Sequence, residues 1–260
     1  MAEKVRYEVA DRVATITIHR PEVRNAMDAG VFDGLRAAGR RAGDDPEVRA
    51  VVVTGEGQAF SSGIDVSLFG GAGPDEGPAA IDIARLQAAF TIFEEIRQPA
   101  IAAVHGYAFG GGIQLMLACD LRVLADDASL SVMETRWGII PDLGAIHRLP
   151  RIVGVGRAKE LMLTGRKMDA GEALAWGLAN RVVPAGQDVK EASAWARELA
   201  AGPPLALERI KRLANTAFDV PIVMGLEREA AAQRRVLASD DFAEAVGARF
   251  EKREPDYRGR

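Results

Sequence analysis

Short apolar runs alternate along this chain with longer segments in which apolar residues recur every three or four positions. Residues 5–9 and 13–18 alternate apolar and polar side chains around a polar turn, which predicts a β-hairpin. Residues 50–54 and 100–104 are almost wholly apolar, as is typical of parallel strands buried on both faces. The same criteria predict further strands at residues 121–125, 130–132 and 178–183.

Helical periodicity fills most of the remaining chain. It predicts helices over residues 28–42, 81–95, 113–119, 156–163, 170–177, 189–201, 205–217, 222–238 and 241–252. Residues 70–78 are rich in glycine and proline and predict a surface loop. Strands interleaved with helices, followed by a helical tail, indicate an α/β core over residues 1–200 and a C-terminal helical region over residues 201–260.

Composition narrows the classes of function and of partner. The chain has 260 residues, a net charge of −4 and a pI of about 5.6, so no basic signature predicts a nucleic-acid partner. No apolar run reaches the roughly 18–20 residues that span a membrane, and the N-terminus lacks the apolar core of a signal peptide. The lone cysteine, Cys119, suits a reducing compartment. We therefore expect a cytoplasmic protein without a membrane partner.

Two turns rich in small residues follow the apolar strands. Residues 57–65 come after the strand at 50–54, and Gly106 with the triplet 110–112 comes after the strand at 100–104. If these strands are neighbours in a parallel sheet, both turns emerge at the same edge, where ligands bind. Two backbone N–H groups could then hold one carbonyl oxygen that becomes negative during a reaction. Small-residue turns with a purely structural role remain the alternative.

Two acidic residues, Glu134 and Asp142, lie among apolar neighbours. Burial disfavours the charged form of a carboxyl group and prepares it for proton transfer. The alternatives are that Glu134 caps a turn and that Asp142 begins a helix or pairs with Arg148.

Other catalytic motifs find no support in the sequence. The three histidines form no triad with a serine, because Ser61 and Ser62 lack the Gly-x-Ser-x-Gly elbow. No cysteine or histidine spacing predicts a metal site. The glycine triplet fits neither a P-loop nor a dinucleotide-binding motif.

Several segments, taken together, resemble the crotonase (enoyl-CoA hydratase/isomerase) family. Residues 59–65 (AFSSGID) and 101–112 (IAAVHGYAFGGG) are similar to its two oxyanion-hole motifs. The resemblance continues through residues 20–27, 119–120, 149–154, 163–165 and 250–253, in the family's order. It therefore covers nearly the whole chain.

The resemblance implies a spiral fold of ββα turns, with C-terminal helices that assemble a homotrimer or a dimer of trimers. It implies acyl-CoA thioesters as substrates, with CoA as part of the substrate and no metal or redox cofactor. The thioester carbonyl would lie between the amides of Ile64 and Gly111. The residues that would contact CoA are Arg24, Ala26, Ser62, Asp65 and Lys252, the last from the same or a neighbouring subunit.

The chain departs from the pattern of two-glutamate hydratases at one position. Where that pattern has its first glutamate the chain has Gln114, while Glu134 matches the second. An amide cannot accept the proton of a water molecule, so we expect double-bond isomerisation to be somewhat favoured over hydration. Glu134 would transfer the proton and Gln114 would orient water or substrate. Asp142, eight residues after Glu134, falls where dienoyl-CoA isomerases have an aspartate.

Two rival functions remain open. The chain could bind acyl-CoA without catalysis, having lost the chemistry through Gln114, although the presence of both Glu134 and Asp142 argues against that. A peptidase on the same scaffold would need a serine with a histidine partner near the glycine turns.

Overall fold

Nine strands and ten α-helices make up the computed structural model, which describes residues 3–68 and 82–260. The strands are β1 Val5–Ala10, β2 Val13–Ile18, β3 Ala50–Gly55, β4 Ala100–Val104, β5 Tyr107–Phe109, β6 Leu121–Ala125, β7 Ser129–Ser131, β8 Met168–Asp169 and β9 Arg181–Val183. The helices are α1 Ala29–Asp44, α2 Ile83–Glu95, α3 Gly111–Ala118, α4 Ala145–Val153, α5 Val155–Thr164, α6 Ala170–Ala175, α7 Asp188–Ala201, α8 Pro204–Asn215, α9 Ile222–Leu237 and α10 Asp240–Glu251.

A six-stranded sheet in the order β1-β2-β3-β4-β6-β9 forms the centre of the molecule. Only the β1–β2 hairpin is antiparallel, and the other neighbours are parallel. Alternate residues of β3 face two separate apolar clusters: Val51 and Val53 pack towards α1 and α2, whereas Val52 packs towards α7. Burial on both faces explains why this strand is apolar throughout.

A second, smaller layer stacks beside the ends of the main strands. β5, β7 and β8 form a three-stranded sheet, and an isolated parallel bridge between Ser61 and Ala108 extends its pattern to the segment after β3. β4 and β6 are therefore each followed by a short second strand, and α3 completes the turn that begins with β4. Successive turns of this kind build a spiral, as the resemblance implied.

The predicted elements are largely confirmed, with shifted ends. α3 begins two residues earlier than predicted, and the last predicted strand shortens to Arg181–Val183. The sequence did not predict α4, which contains Pro150 and begins after Gly144; proline inside a helix is normally unfavourable. The predicted loop at 70–78 and the predicted helix start at residue 81 lie outside the described residues.

The C-terminal helices differ in how much of their surface packs against the core. α7 packs against the main sheet through Ala192, Ala196 and Ala200. By contrast, none of the side chains of α9 is buried. No helix in the described part of the chain is long and apolar enough to cross a membrane.

Candidate active site

The two predicted turns lie side by side at the end of the parallel strands. The N–H of Ser61 donates a hydrogen bond to the carbonyl of Tyr107 (2.8 Å), and the N–H of Phe109 donates one to the carbonyl of Ser61 (3.1 Å). The N–H of Phe60 donates another to the carbonyl of His105 (2.9 Å). The prediction that both turns emerge at one edge of the sheet is confirmed.

Glycine is required where these two backbones touch. A Cβ on Gly112 would lie 2.6 Å from the carbonyl oxygen of Ser61, and one on Gly63 would lie 2.8 Å from that of Phe109. Gly63 also has a φ of +107°, which L-residues rarely adopt. Backbone atoms cannot move aside as a flexible side chain can, so these glycines determine how closely the turns approach.

The close approach brings the amides of Ile64 and Gly111 together. A Cβ on Gly111 would lie 3.6 Å from the nitrogen of Ile64. Within residues 3–68 and 82–260, neither N–H donates a hydrogen bond to another protein group. Gly111 is the first residue of α3, so the positive end of the helix dipole adds to its N–H. The pair is suited to binding an oxygen that carries negative charge.

A cavity of about 620 Å³ opens in front of these amides. The described residues that line it are Val23, Ala26, Ser62, Gly63, Ile64, Asp65, Val66, Gly110, Gly111, Met133, Glu134, Trp137 and Ile139. Most are apolar or contribute only backbone. Such a cavity, with a few polar groups directed into it, is typical of a site for a small molecule.

Glu134 provides a carboxylate to this cavity. It begins a 3-10 turn, Glu134–Trp137, that follows β7, and only 5% of the residue is exposed. Its Oε1 accepts a hydrogen bond from the side-chain amide of Gln114 (2.7 Å). Its Oε2 is buried and has no partner among the described residues. Burial raises the pKa of the Glu134 carboxyl, and the charge of Asp142 raises it further.

Gln114 is fully buried, and its side chain forms three hydrogen bonds to other groups of the protein. Its Nε2 donates to Glu134, while its Oε1 accepts from the N–H groups of Leu143 (2.9 Å) and Ala145 (3.1 Å). The two backbone donors fix which end of the amide faces the carboxylate. Two protein donors thus occupy the carbonyl oxygen of Gln114, and its amide N–H groups face Glu134. The expectation that Gln114 orients water or substrate stays a prediction.

Asp142 lies in an adjoining cavity of about 490 Å³. The other described residues that line this cavity are apolar: Ile64, Leu68, Ile83, Leu86, Ile139 and Ile140. Burial raises the pKa of the Asp142 carboxyl. Both structural alternatives for this residue were wrong, because α4 begins only at Ala145 and Arg148 pairs instead with Glu94 (2.6 Å).

Glu134 and Asp142 line two neighbouring cavities. Ile64 and Ile139 line both cavities, so the cavities share a wall.

Only three of the five residues that were predicted to contact CoA line this cavity. Ala26, Ser62 and Asp65 line the cavity, and the exposed Arg24 lies next to that lining. Lys252 ends α10 in an exposed, left-handed conformation and is not part of the cavity wall of this chain.

Neither serine near the glycine turns has a histidine partner. The hydroxyl of Ser61 donates to the carbonyl of Asn25 (2.8 Å), and that of Ser62 donates to the carbonyl of Val23 (3.3 Å). His105 instead pairs with Asp188 (2.9 Å). This arrangement lacks the base that a peptidase would need.

Sequence reasoning assigned no role to two residues that hold the first turn. Asn25 is fully buried with a φ of +57°, and its side-chain amide donates to the carbonyls of Glu56 (2.9 Å) and Ala59 (2.6 Å). Arg20 binds Asp65 on the other side of the turn (2.8 Å). The sequence could have indicated both residues, because they lie in segment 20–27, which resembles the crotonase family.

The described residues contain no group of three or more histidine, cysteine, aspartate and glutamate side chains arranged to hold a metal ion. The lone Cys119 is buried, and burial raises the pKa of its thiol to about 12, which keeps it protonated.

Comparison with known proteins assigns the chain to a family. The family model for enoyl-CoA hydratase/isomerase matches residues 8–260. This chain belongs to the enoyl-CoA hydratase/isomerase family. It is 35% identical over 255 residues to the probable enoyl-CoA hydratase of Mycobacterium tuberculosis, with 98% of each chain covered. It is also 37% identical to the carnitinyl-CoA dehydratase of Citrobacter koseri, with both chains covered completely.

Solved structures of this family share the fold. The enoyl-CoA hydratase of Bacillus anthracis superposes with a TM-score of 0.93 at 34% identity, covering 99% of this chain and 100% of that one. A Thermobifida fusca protein named as an enoyl-CoA hydratase, solved in complex with CoA, superposes with a TM-score of 0.83 at 38% identity, covering 91% and 93%. The crotonase-like spiral is thereby confirmed, and the two adjacent turns lie in a member of the crotonase family.

Proposed function

We propose that this enzyme moves a carbon–carbon double bond within an acyl-CoA thioester, through an enolate and with Glu134 as the proton carrier. One observation carries the proposal. Glu134, Ile64 and Gly111 line the same cavity, and Oε1 of Glu134 is held by Gln114 while Oε2 has no partner among the described residues. This arrangement supports one base opposite one oxyanion site.

The two amides stabilise the charge that develops on the thioester oxygen. When a proton leaves the carbon next to the thioester, the electron pair moves onto the carbonyl oxygen. Each well-placed N–H donor contributes about 3–4 kcal/mol to such a transition state. Since the donors are fixed backbone groups, no reorganisation is needed during the reaction.

Glu134 moves one proton within the substrate, so the product has the same atoms as the substrate. In a 3-enoyl thioester its carboxylate takes a proton from C2, and the C3–C4 double bond joins the enolate as a dienolate. The protonated carboxyl then returns the proton to C4, which leaves the double bond between C2 and C3. This sequence consumes no water and needs no metal or redox cofactor.

Hydration would need a second group to activate water. Gln114 stands where a second carboxylate would be, and its carbonyl oxygen is occupied by the N–H groups of Leu143 and Ala145. Hydration or dehydration is nevertheless the second candidate, because relatives named enoyl-CoA hydratase and carnitinyl-CoA dehydratase match over nearly their full length.

The second cavity would hold part of the acyl group. Its apolar wall suits a hydrocarbon chain, and Asp142 is the one charged side chain among its described lining residues. We therefore place Asp142 beside the distal part of an extended acyl chain, where it would exchange a proton with a second, conjugated double bond. This favours dienoyl thioesters among the substrates.

Binding of the CoA moiety would fall to the rim of the first cavity. Ala26, Ser62 and Asp65 would accommodate the chain that leads to the thioester, and Arg24 would meet the phosphates. Lys252 would contribute from a neighbouring subunit, because it does not line the cavity of its own chain.

Product analysis tests this function. The wild type and Gln114→Glu are incubated with 2-enoyl-, 3-enoyl- and dienoyl-CoA esters, and products are read by mass and double-bond position. We expect the wild type to shift double bonds at constant mass. We expect Gln114→Glu to gain products heavier by one water, because it restores a second carboxylate.

A wild type that mainly adds water and leaves 3-enoyl and dienoyl esters unchanged would contradict the proposal and favour the second candidate. A wild type that binds the esters and changes none of them would favour an acyl-CoA-binding protein.

A further inference from the structure

The backbone that presents the Ile64 amide is held from behind by a bridge to the segment after β2. The N–H of Met27 donates to the carbonyl of Gly63 (2.8 Å), and the N–H of Asp65 donates to the carbonyl of Met27 (2.9 Å). In such a parallel bridge the N–H of the intervening residue points the other way. The Ile64 N–H is therefore free for the cavity because the residues on both sides of it are bound to Met27.

One side chain ties the two halves of this bridge together. Nη1 of Arg20 donates to the carbonyl of Ala26 (2.6 Å) and to Oδ2 of Asp65 (2.8 Å). Ala26 precedes one bridged residue and Asp65 follows the other. The Arg20 side chain is only 16% exposed, so solvent does little to weaken these contacts.

The charges around Arg20 are balanced. Nη1 also lies 3.4 Å from Oδ2 of Asp28, which receives a further hydrogen bond from Lys4. The other oxygen of Asp28 caps α1 by accepting from the N–H of Val31 (3.0 Å). Two cations and two anions thus connect the start of α1 to the Ile64 turn. A balanced group of this kind loses most when one partner is removed, because a carboxylate then lies half-buried without its cation.

Asp65 stays ionised throughout the physiological range. The N–H of Ser67 donates to Oδ1 of Asp65 (3.0 Å), and together with Arg20 it lowers the pKa of this carboxyl to about 2. The Arg20–Asp65 contact therefore persists at any pH at which the enzyme is assayed. The Asp65 carboxylate is thus bound to other groups of the protein.

We propose that Arg20 is a positioning residue for the oxyanion site. It fixes the direction of the Ile64 N–H by donating hydrogen bonds to Ala26 and Asp65 at once. Arg20 is not among the residues that line the cavity and acts only through the bridge. The inference rests on the oxyanion role of Ile64 in the proposed function. An error of about 1 Å in such a donor lowers the rate by about 100-fold, so the effect falls on turnover rather than on binding.

Arg20→Met tests the inference, with kcat, KM and an optical signal measured together. The signal is the ultraviolet absorption of a bound 2,4-dienoyl-CoA, which moves to longer wavelength when N–H donors polarise its conjugated carbonyl. We expect kcat to fall about 10- to 100-fold, KM to change less than about threefold, and the red shift to be largely lost. Arg20→Lys keeps the cation and should recover part of both.

Arg166→Met is the matched control. Arg166 also bridges two carboxylates, Glu160 and Glu172, but does not line the cavity. We expect its loss to leave kcat and the red shift unchanged. If Arg20→Met does not fold, Asp65→Asn carries the test, since it removes the same contact at nearly constant volume.

A folded Arg20 or Asp65 variant that keeps the wild-type red shift would overturn the inference, whatever its stability. A wild type that binds the probe with no red shift would refute the oxyanion role of Ile64 itself. The optical readout needs no turnover, so a wild type that red-shifts the probe but moves no double bond would refute the proposed reaction alone.

Discussion

At the residue scale, a single hydrogen bond distinguishes this site from a two-carboxylate one. A glutamate at position 114 would accept the same N–H groups of Leu143 and Ala145, but it would direct an oxygen towards Glu134 where the amide now directs an N–H. Two carboxylates in contact must share a proton. The amide removes that conflict, which in the proposed reaction lets Glu134 act alone.

Burial of Glu134 has a cost for the fold that depends on pH. Burial raises the pKa of this carboxyl above its ordinary value of 4.5, so the folded protein binds the proton more tightly than the unfolded chain does. The tighter proton binding stabilises the folded protein. This stabilisation is fully present below pH 4.5 and is lost as the pH rises through the raised pKa of Glu134. We expect Glu134→Gln to increase the free energy of unfolding at pH values well above 4.5 and to change it little below.

Urea unfolding across the pH range checks this prediction. Glu172→Gln is a control of opposite sign, because Arg166 lowers the pKa of Glu172 and its loss should destabilise the fold slightly at neutral pH. Equal stability of Glu134→Gln and the wild type at every pH would contradict the account.

At the scale of the elements, the close contact between the two turns depends on glycine. Gly112 is the second residue of α3, and a Cβ there would meet the backbone of Ser61. We expect Gly112→Ala to destabilise the fold by about 1–3 kcal/mol, as overpacking does, and to lower kcat by separating the two amides.

Gly156 provides the matched comparison, because it is the second residue of α5 and a Cβ there would meet nothing within 4 Å. Gly156→Ala should stabilise the fold by about 0.5–1 kcal/mol, the usual helical preference of alanine. Thermal unfolding and steady-state kinetics on both variants test the pair. If the two substitutions have equal effects, the glycine contact has no special role.

The sequence predicted those elements whose own residues show a clear pattern of apolar or small side chains. β3 and β4 were readable because burial on both faces makes them apolar throughout, and the glycine turns were readable because close backbone contact excludes side chains. α4 was missed because Pro150 interrupts its pattern. β5 and β8 were missed because strands of three and two residues show no periodicity.

The site was predictable as a set of residues, although not as a set of contacts. Glu134, Asp142 and Gln114 could be named from their positions relative to the glycine turn. That Gln114 binds the N–H groups of Leu143 and Ala145 depends on tertiary packing, which no local pattern reports. The same is true of Arg20, whose contact with Asp65 joins residues 45 positions apart.

At the scale of the whole molecule, the C-terminal helices and the turns between them expose many apolar side chains. The most exposed are Ile210, Phe218, Ile222, Val223, Leu226 and Phe250, between 54% and 85% exposed. A helix such as α9, which buries none of its side chains in its own chain, gains little from packing there. Exposed apolar side chains that are grouped together mark protein interfaces, and we propose that these helices form the trimer.

Light scattering on the native protein checks the assembly. We expect a trimer or a dimer of trimers for the wild type, and monomers for Val223→Glu, because the variant would bury an unpaired charge at the interface. Val155→Glu is the control, since Val155 is 60% exposed but belongs to α5 and not to the C-terminal helices. A monomeric wild type, or an unchanged assembly in Val223→Glu, would contradict the proposal.

Deuterium uptake tests the central claim, that Glu134 carries the proton beside the two oxyanion donors. The wild type, Glu134→Gln and Asp142→Asn are incubated with a 3-enoyl-CoA in heavy water, and label in the acyl carbons is followed by mass. Binding of the ester is measured separately. The carboxyl of Glu134 exchanges its proton with solvent in a fraction of turnovers, so the account predicts some uptake by the wild type and by Asp142→Asn. It predicts none by a Glu134→Gln variant that still binds the ester. Uptake by folded Glu134→Gln at the wild-type rate would contradict it.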